Sequence, residues 1–293
     1  MAGSGATSSA SGRSPAGAKK VSARSGAKAT SGSTNRAASK AKSGSKGKSA
    51  AWSVPRPVRR IQARSDFDGD LGQWPFTIPA IRQLITEGLD FGQATILVGE
   101  NGSGKSTLVE ALAEAYGFNP EGGSTGAMHL THRTESGLAD DLTLSRGPGA
   151  ARGGYFLRAE TMHGLYTYLE EVGAGAFHAM SHGESFLEVI ETRAFGRNGQ
   201  PAPGLYLFDE VESALSFSSS LRVLATLREL LTEERVQIVL ATHSPILAAL
   251  PGATIIELTS EGFRTADWAD LELVVNERYF LTDPQRFLRH LAP

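Results

Sequence analysis

The sequence predicts an α/β domain built on a mixed sheet, and three observations predict it. Apolar runs at residues 94–98, 205–208 and 236–241 read as buried strands, each bounded by glycine or polar residues. A glycine-rich loop followed by a helical pattern comes directly after the first run. Between the second and third runs, "LSFSSSLRVLATLRELLTEE" has the length and periodicity of a helix, which makes a β-α-β crossover joining parallel strands.

The first run opens "ATILVGENGSGKSTLVEALAEAYG". After the strand, residues 99–106 match G-x-x-x-x-G-K-[ST]. Leu108, Leu112 and Ala115 then share one side of a helix that Gly117 is placed to stop. Glycines in such a loop let backbone N–H groups turn inward around phosphate oxygens at the positive end of a helix. Gly99, Glu100, Asn101, Gly102, Ser103, Gly104, Lys105, Ser106 and Thr107 are the candidate nucleotide-binding residues. Seven of the eight lysines lie in residues 1–50, and Lys105 is the exception in a body whose other cations are arginines. An ammonium is a compact point charge suited to the β- and γ-phosphates, where a planar guanidinium is too bulky. The Ser106 hydroxyl is placed to meet Mg²⁺, so a nucleoside triphosphate with Mg²⁺ is the expected ligand.

The second run ends in Asp209 and Glu210, within "GLYLFDEVESALS". At the C-terminal edge of a parallel strand, Asp209 lies beside the phosphate loop and can hold Mg²⁺ through water. Glu210 is placed to orient and polarise an attacking water. The third run ends in Thr242, His243 and Ser244. His243 at that edge can sense the γ-phosphate and steady Glu210, so Glu210 and His243 are the candidate catalytic pair.

Charge is unevenly spread over the 293 residues. Residues 1–64 hold fourteen Lys and Arg and no Asp or Glu, a charge of +14; the whole chain is −2, so residues 65–293 carry −16. In residues 1–50 the large apolar side chains are Met1 and Val21 alone. Such a stretch buries too little surface to offset its ordering entropy. Residues 1–64 are expected to be a disordered basic tail, and residues 65–293 the folded domain. The tail suits non-specific contact with nucleic acid or another polyanion, or is a solubilising leader. Residues 1–50 lack the Leu, Ile and Phe of an organelle transit helix. No signal-peptide pattern is present, and no apolar run approaches the ~18 residues that cross a bilayer. A cytoplasmic location is expected. The lack of cysteine agrees with it, and excludes thiol catalysis and Cys-ligated zinc.

The segment "MSHGESF", residues 180–186, holds two serines, a histidine and a glutamate, the raw material of a hydrolase. A serine nucleophile needs a strained elbow such as G-x-S-x-G, and neither Ser181 nor Ser185 has those flanks. Taken with the phosphate loop, the Asp-Glu strand end and His243, the segment resembles the ABC-type ATPases. Their signature, near LSGGQ, precedes the Asp-Glu pair, and Ser181 lies 28 residues before Asp209. Met180 stands for the Leu, Ser181 for the Ser, Gly183 for the second Gly and Glu184 for the Gln, while His182 replaces the first Gly. The resemblance implies that Ser181, Gly183 and Glu184 bind the γ-phosphate held by another subunit, and so an ATP-dependent head-to-tail homodimer.

Within that superfamily the chain resembles the small stand-alone bacterial ATPases of the AAA-family or predicted-ATPase type, near the RecF, SMC and OLD branch. The run D-E-x-E-x-x-L (Asp209, Glu210, Glu212, Leu215) and the "ATHSPIL" ending carry that likeness, with Val211 where the branch prefers Pro. Only 76 residues separate Lys105 from Ser181, which leaves room for a helical insertion at about 161–196 but not for long coiled-coil arms. "YFLRAE" sits where the family has its Q-loop without supplying the Gln, leaving Arg158 or Glu160 as the site residue there. Trp74 and Phe76, about 25 residues before Gly99, are either an adenine-stacking aromatic or core. His129 and His132 are a metal pair at i, i+3 or loop residues. "ATIIELTSEGFRTADW" reads as a hairpin capping the sheet, and "DPQRFLRHL" as a final helix. The implied activity is ATP hydrolysis coupled to dimerisation, possible targets including nucleic acid. The alternatives are a soluble ATP-binding subunit of a membrane transporter, and a nucleic-acid-binding module timed by hydrolysis.

Overall fold

The computed structural model describes residues 54–125, 136–160, 182–289 and 291, with the side chains of 182–185 and 214 excepted. The expected disorder of residues 1–53, the His129 and His132 pair, and Ser181 lie outside the described residues.

The apolar runs form the strands expected of them. Strands β3 (Ala94–Gly99), β7 (Gly204–Asp209) and β8 (Val236–Ala241) are buried almost throughout. With β4 (Gly123–Ser124), β6 (Gly154–Arg158), β9 (Thr254–Thr259) and β10 (Gly262–Thr265), they make a seven-stranded sheet in the order β10-β9-β3-β8-β7-β6-β4. The five central strands are parallel, and β10 and β4 close the two edges antiparallel. The β9–β10 hairpin is thus one edge of the sheet, with β9 laddered directly on β3.

Alternate side chains on each strand point to opposite faces, so a fully buried strand feeds two cores. Ile96, Val98, Tyr206, Phe208, Ile238 and Leu240 enter one core. Helix α3 (His182–Ala194), α4 (Phe217–Leu230) and the short α5 (Pro245–Ala248) cover it. Leu97, Phe156, Leu205, Leu207 and Val239 enter the other, under α1 (Pro79–Glu87) and α2 (Lys105–Tyr116). Gly117 ends α2 in the left-handed conformation at φ 104°, as its position in the sequence predicts. After β10, α6 (Glu272–Thr282) and α7 (Gln285–Leu288) follow; the pattern of "LELVVNERYFLT" was too weakly amphipathic to reveal α6.

The boundary at residue 64 is corrected. Residues Arg60–Ala63 are a strand, β1, paired antiparallel with β2 (Leu89–Asp90) on one side and β5 (Leu142–Ser145) on the other. The arginines that look like tail charge belong to the fold. Arg60 pairs with Asp90 at 2.9 Å, Arg64 grips Asp66 with two bonds of 2.9 Å, and Arg59 donates to the Val54 carbonyl at 2.7 Å. Between them Val58 and Ile61 are wholly buried.

Gln237 holds this small sheet to the large one. Its buried amide accepts from Val58 N at 2.7 Å and donates to the Val58 and Gly92 carbonyls at 2.6 and 2.7 Å. Gln237→Leu keeps the volume and strands those backbone groups in a dry interior. It is expected to cost roughly 3 kcal/mol, read as a lower urea midpoint at unchanged slope.

Candidate active site

The C-terminal ends of β3, β8 and β7 lie side by side, and the three sets of chemical residues emerge there. The register places Leu97 opposite Ala241, and Ala241 opposite Asp209. Beyond that line Thr242 N donates to Leu97 O, and Glu210 N to Ala241 O, both at 3.0 Å. Residues separated by more than a hundred positions in the chain are thereby set next to one another.

The loop from Gly99 to Gly104 has the backbone a phosphate cradle needs. Gly102 and Gly104 hold φ of 78° and 99°, where a side chain is strained. A Cβ at Gly99 would lie 2.5 Å from the Leu258 carbonyl oxygen. Gly104 caps α2, so the helix's unpaired N–H groups face the loop. Lys105, 3% exposed, donates from Nζ to the Gly99 and Glu100 carbonyls at 3.0 and 3.1 Å. Burial lowers its pKa, opposed by the carboxylates of Glu210, Asp209 and Glu212.

Ser106 Oγ donates to Asp209 Oδ1 at 3.2 Å. Both are hard oxygen ligands at the mouth of the loop, the set that suits Mg²⁺, which keeps most of its waters and takes one or two protein oxygens. Asp209 is 3% exposed, and burial pushes its carboxyl from 3.8 up to about 7. Arg158 and Ser106 pull against that shift, while Glu210 and Glu110 add to it. A buried carboxylate held this high fits a site completed by a cation.

That value carries a stability prediction. Between about pH 4 and pH 7 the unfolded chain has released the Asp209 proton while the folded chain keeps it. Stability from this group is therefore fully present below about pH 4, falls as pH rises, and stays lower above about 7. Asp209→Asn removes the penalty. In EDTA and without nucleotide it should exceed the native protein in urea stability at pH 8, by on the order of 2–4 kcal/mol, with the gap closing towards pH 4.

Glu210 adopts φ 51° and ψ 37°, the one non-glycine residue at positive φ among the described residues. Left-handed backbone costs an ordinary residue ~1–2 kcal/mol and is tolerated where the surroundings over-determine it. Here it turns the strand end so that Glu210 Oε1 sits 3.2 Å from His243 Nε2 and 3.7 Å from Lys105 Nζ. Glu210 and His243 remain about one-third exposed, open to the cleft. Glu212 secures the same corner by accepting a hydrogen bond from the His243 backbone N–H.

Other expectations resolve differently. Phe76 belongs to the core, edge-on to Phe67 at 5.3 Å, whereas Trp74 is 53% exposed. Gly183 and Glu184 lie in the first turn of α3, as the helical reading of "GESFLEVIETRAF" predicts. Arg158, one of two residues left open by the missing Gln, reaches the site, with Nε 3.4 Å from Asp209 Oδ2; Glu160 meets Arg158 at 3.1 Å and is otherwise exposed. Glu110 was missed, since only the fold brings it to Arg158. Beside the loop, a cavity of about 600 Å³ runs between residues 99–103, His243, Glu257 and α6. Glu257 there is buried and paired with Arg264 at 2.7 Å, a contact invisible without the hairpin.

No protein-family model matches the chain. It is 28% identical over 189 residues, 59% of its own length and 71% of the relative's, to the aliphatic sulfonates import ATP-binding protein SsuB 1 of Paracoccus denitrificans. Among solved structures, the SMC head domain from Thermotoga maritima aligns with 61% of this chain and 92% of its own at 14% identity, TM-score 0.37. CbiO1 from Clostridium perfringens, part of the ABC transporter complex cbiONQ, aligns with 70% and 88% at 15% identity, TM-score 0.37. The strand order, the glycine-rich loop between β3 and α2, and the Asp-Glu end of β7 make this a mixed α/β fold with a phosphate-loop motif at the C-terminal ends of its parallel strands.

Proposed function

We propose that the chain binds ATP with Mg²⁺, hydrolyses it, and associates head to tail with a second copy while ATP is held. The observation that carries this reading is the meeting of the glycine loop, Lys105, Ser106, Asp209, Glu210 and His243 at one sheet edge. The loop N–H groups and Lys105 hold the β- and γ-phosphates, with Thr107 alongside in the first turn of α2. Ser106 and Asp209 would hold Mg²⁺, and the ion would supply positive charge to offset charge on the phosphate oxygens. Glu210 aligns a water against the γ-phosphorus and accepts its proton, and His243 fixes the Glu210 carboxylate. Ser181, Gly183 and Glu184 of the second copy complete the γ-phosphate shell. The D-E-x-E run favours kinship with the stand-alone RecF, SMC and OLD branch, and the Glu212 bond to His243 gives its last acid a job.

Similarity to an import ATP-binding protein supports a second reading, a soluble ATP-binding subunit for a transporter. Among the described residues no helix is long and apolar enough to cross a membrane, so such a subunit would dock on helices of another chain. ATP turnover by the full chain, measured alone, with DNA or RNA, and alongside membrane fractionation, separates the two. Stimulation by nucleic acid favours the first and co-fractionation with membranes the second. Absence of Mg²⁺-dependent turnover in every arm overturns both.

The tail supplies a separate prediction. Residues 1–53 hold ten Lys and Arg and no acid. In a salt-titrated DNA-binding assay the full chain should bind with an affinity that falls steeply with salt, and a chain beginning at Val54 should lose that binding. Basal ATP turnover should be unchanged, because no site residue lies in the deleted stretch. Equal DNA binding by both chains removes the role.

A further inference from the structure

The two residues assigned to the metal stand on different elements, Ser106 on α2 and Asp209 on β7. Something must set the distance between them. Arg158, the last residue of β6, is the Cα partner of Asp209, so the two side chains leave the same face of the sheet side by side. That face is the one covered by α2. On α2, Glu110 lies one turn after Ser106, on the same side of the helix. The Arg158 guanidinium spans the gap, with Nε 3.4 Å from Asp209 Oδ2, one terminal nitrogen 2.5 Å from Glu110 Oε1, and the same nitrogen 3.1 Å from Glu160 Oε2. Its side chain is 17% exposed, as is that of Glu110 within a percentage point.

The two oxygens of Asp209 have separate tasks in this arrangement. Oδ1 faces Ser106 Oγ, the side on which a cation would sit, and Oδ2 faces Arg158. The fork therefore fixes the carboxylate rotamer from behind without standing in the metal's place. Through Glu110 it also ties α2, and with it Ser106, to the end of β7. A lysine at 158 keeps the charge but has no fork to bridge both acids.

Resting on the metal–ATP reading, we propose that Arg158 is a positioning residue for Mg²⁺: it clamps Asp209 to Glu110 and so sets the spacing of the Ser106–Asp209 pair. Outer-shell partners of this kind are worth about 10–100-fold in metal affinity. The effect should appear in metal-dependent binding and not in the binding of metal-free nucleotide, which rests on the loop and Lys105.

The test is ATP affinity by calorimetry in Mg²⁺ and in EDTA, with Mn²⁺ binding followed by electron paramagnetic resonance, on the full chain and its Arg158→Gln and Arg158→Lys variants. In Arg158→Gln the gain in ATP affinity from Mg²⁺ should shrink about tenfold or more, with affinity in EDTA within about twofold of native. Mn²⁺ binding in the presence of ATP should weaken by a similar factor, independently of turnover. Arg158→Lys, which retains the charge if the Gln variant fails to fold, should fall between Gln and native. Affinity lost equally in Mg²⁺ and EDTA would make Arg158 merely structural and overturn the proposal. So would an unchanged Mg²⁺ gain in both variants. A native chain that binds no ATP under either condition instead brings down the nucleotide reading itself.

Discussion

Lys105→Ala is expected to abolish ATP binding at micromolar nucleotide while leaving the domain folded. In the structure Nζ holds the Gly99 and Glu100 carbonyls at 3.0 and 3.1 Å, inside the loop that would close on phosphate. On binding it exchanges these neutral acceptors for anionic oxygens. Charge-assisted bonds of that kind are each worth about 1.5–3 kcal/mol, so losing two weakens binding by roughly 10²–10⁴-fold. The fold has little to lose, because burial already disfavours the ammonium and depresses its pKa. Lys105→Arg should not rescue, since a planar guanidinium must force apart a loop in which the native side chain is 3% exposed. Calorimetry that finds native ATP affinity in the Ala variant removes the phosphate-loop assignment.

Glu210→Gln should bind ATP within a few-fold of native and lose turnover by roughly 10²–10⁴, the range that general-base removal produces. The amide keeps the shape and can still accept from His243 Nε2, now 3.2 Å from Oε1, but carries no negative charge for the water. With hydrolysis stopped, ATP and Mg²⁺ should hold two copies together, because ligand that binds across the interface shifts association by mass action. ADP should not. Adding Ser181→Arg places a bulky cation at the proposed trans contact and should return the protein to monomer without weakening ATP binding to each copy. A nucleophilic Ser181 predicts the reverse, activity lost and association untouched. Light scattering on the single and double variants distinguishes them, and a double variant that still dimerises with ATP overturns the trans contact.

The strands of the candidate site were legible because each is a continuous apolar run ending in polar or charged residues. Residues 99–106 carry a complete loop motif, and Asp209, Glu210 and His243 announce themselves at strand ends. Periodicity also separated α2 from the loop and placed Gly117 at its end. By contrast, β1 hid inside an arginine-rich stretch. A four-residue strand with one wholly buried side chain, Ile61, offers too little alternation to stand out from a basic tail. Its partners lie about 30 and 80 residues away, at β2 and β5.

What the sequence determined by itself, then, is the strands and the candidate site residues that stand at their ends. These depend on local patterns, in which backbone conformation, burial and chemistry are written in adjacent residues. Only the tertiary structure decided which side chains meet. Phe76 went to the core because Phe67 packs edge-on against it, while Trp74 stayed half exposed. Arg158 came to lie against Asp209 because β6 pairs with β7 in one register; a shift by a single residue would turn it to the opposite face, away from Asp209 and Glu110. Glu210 acquired its left-handed backbone from the junction of β7 with the Ala241 carbonyl and the Glu212 corner, not from any preference of glutamate. Register and packing are long-range free-energy minima, settled by the burial of whole strands, and no short stretch of residues contains them.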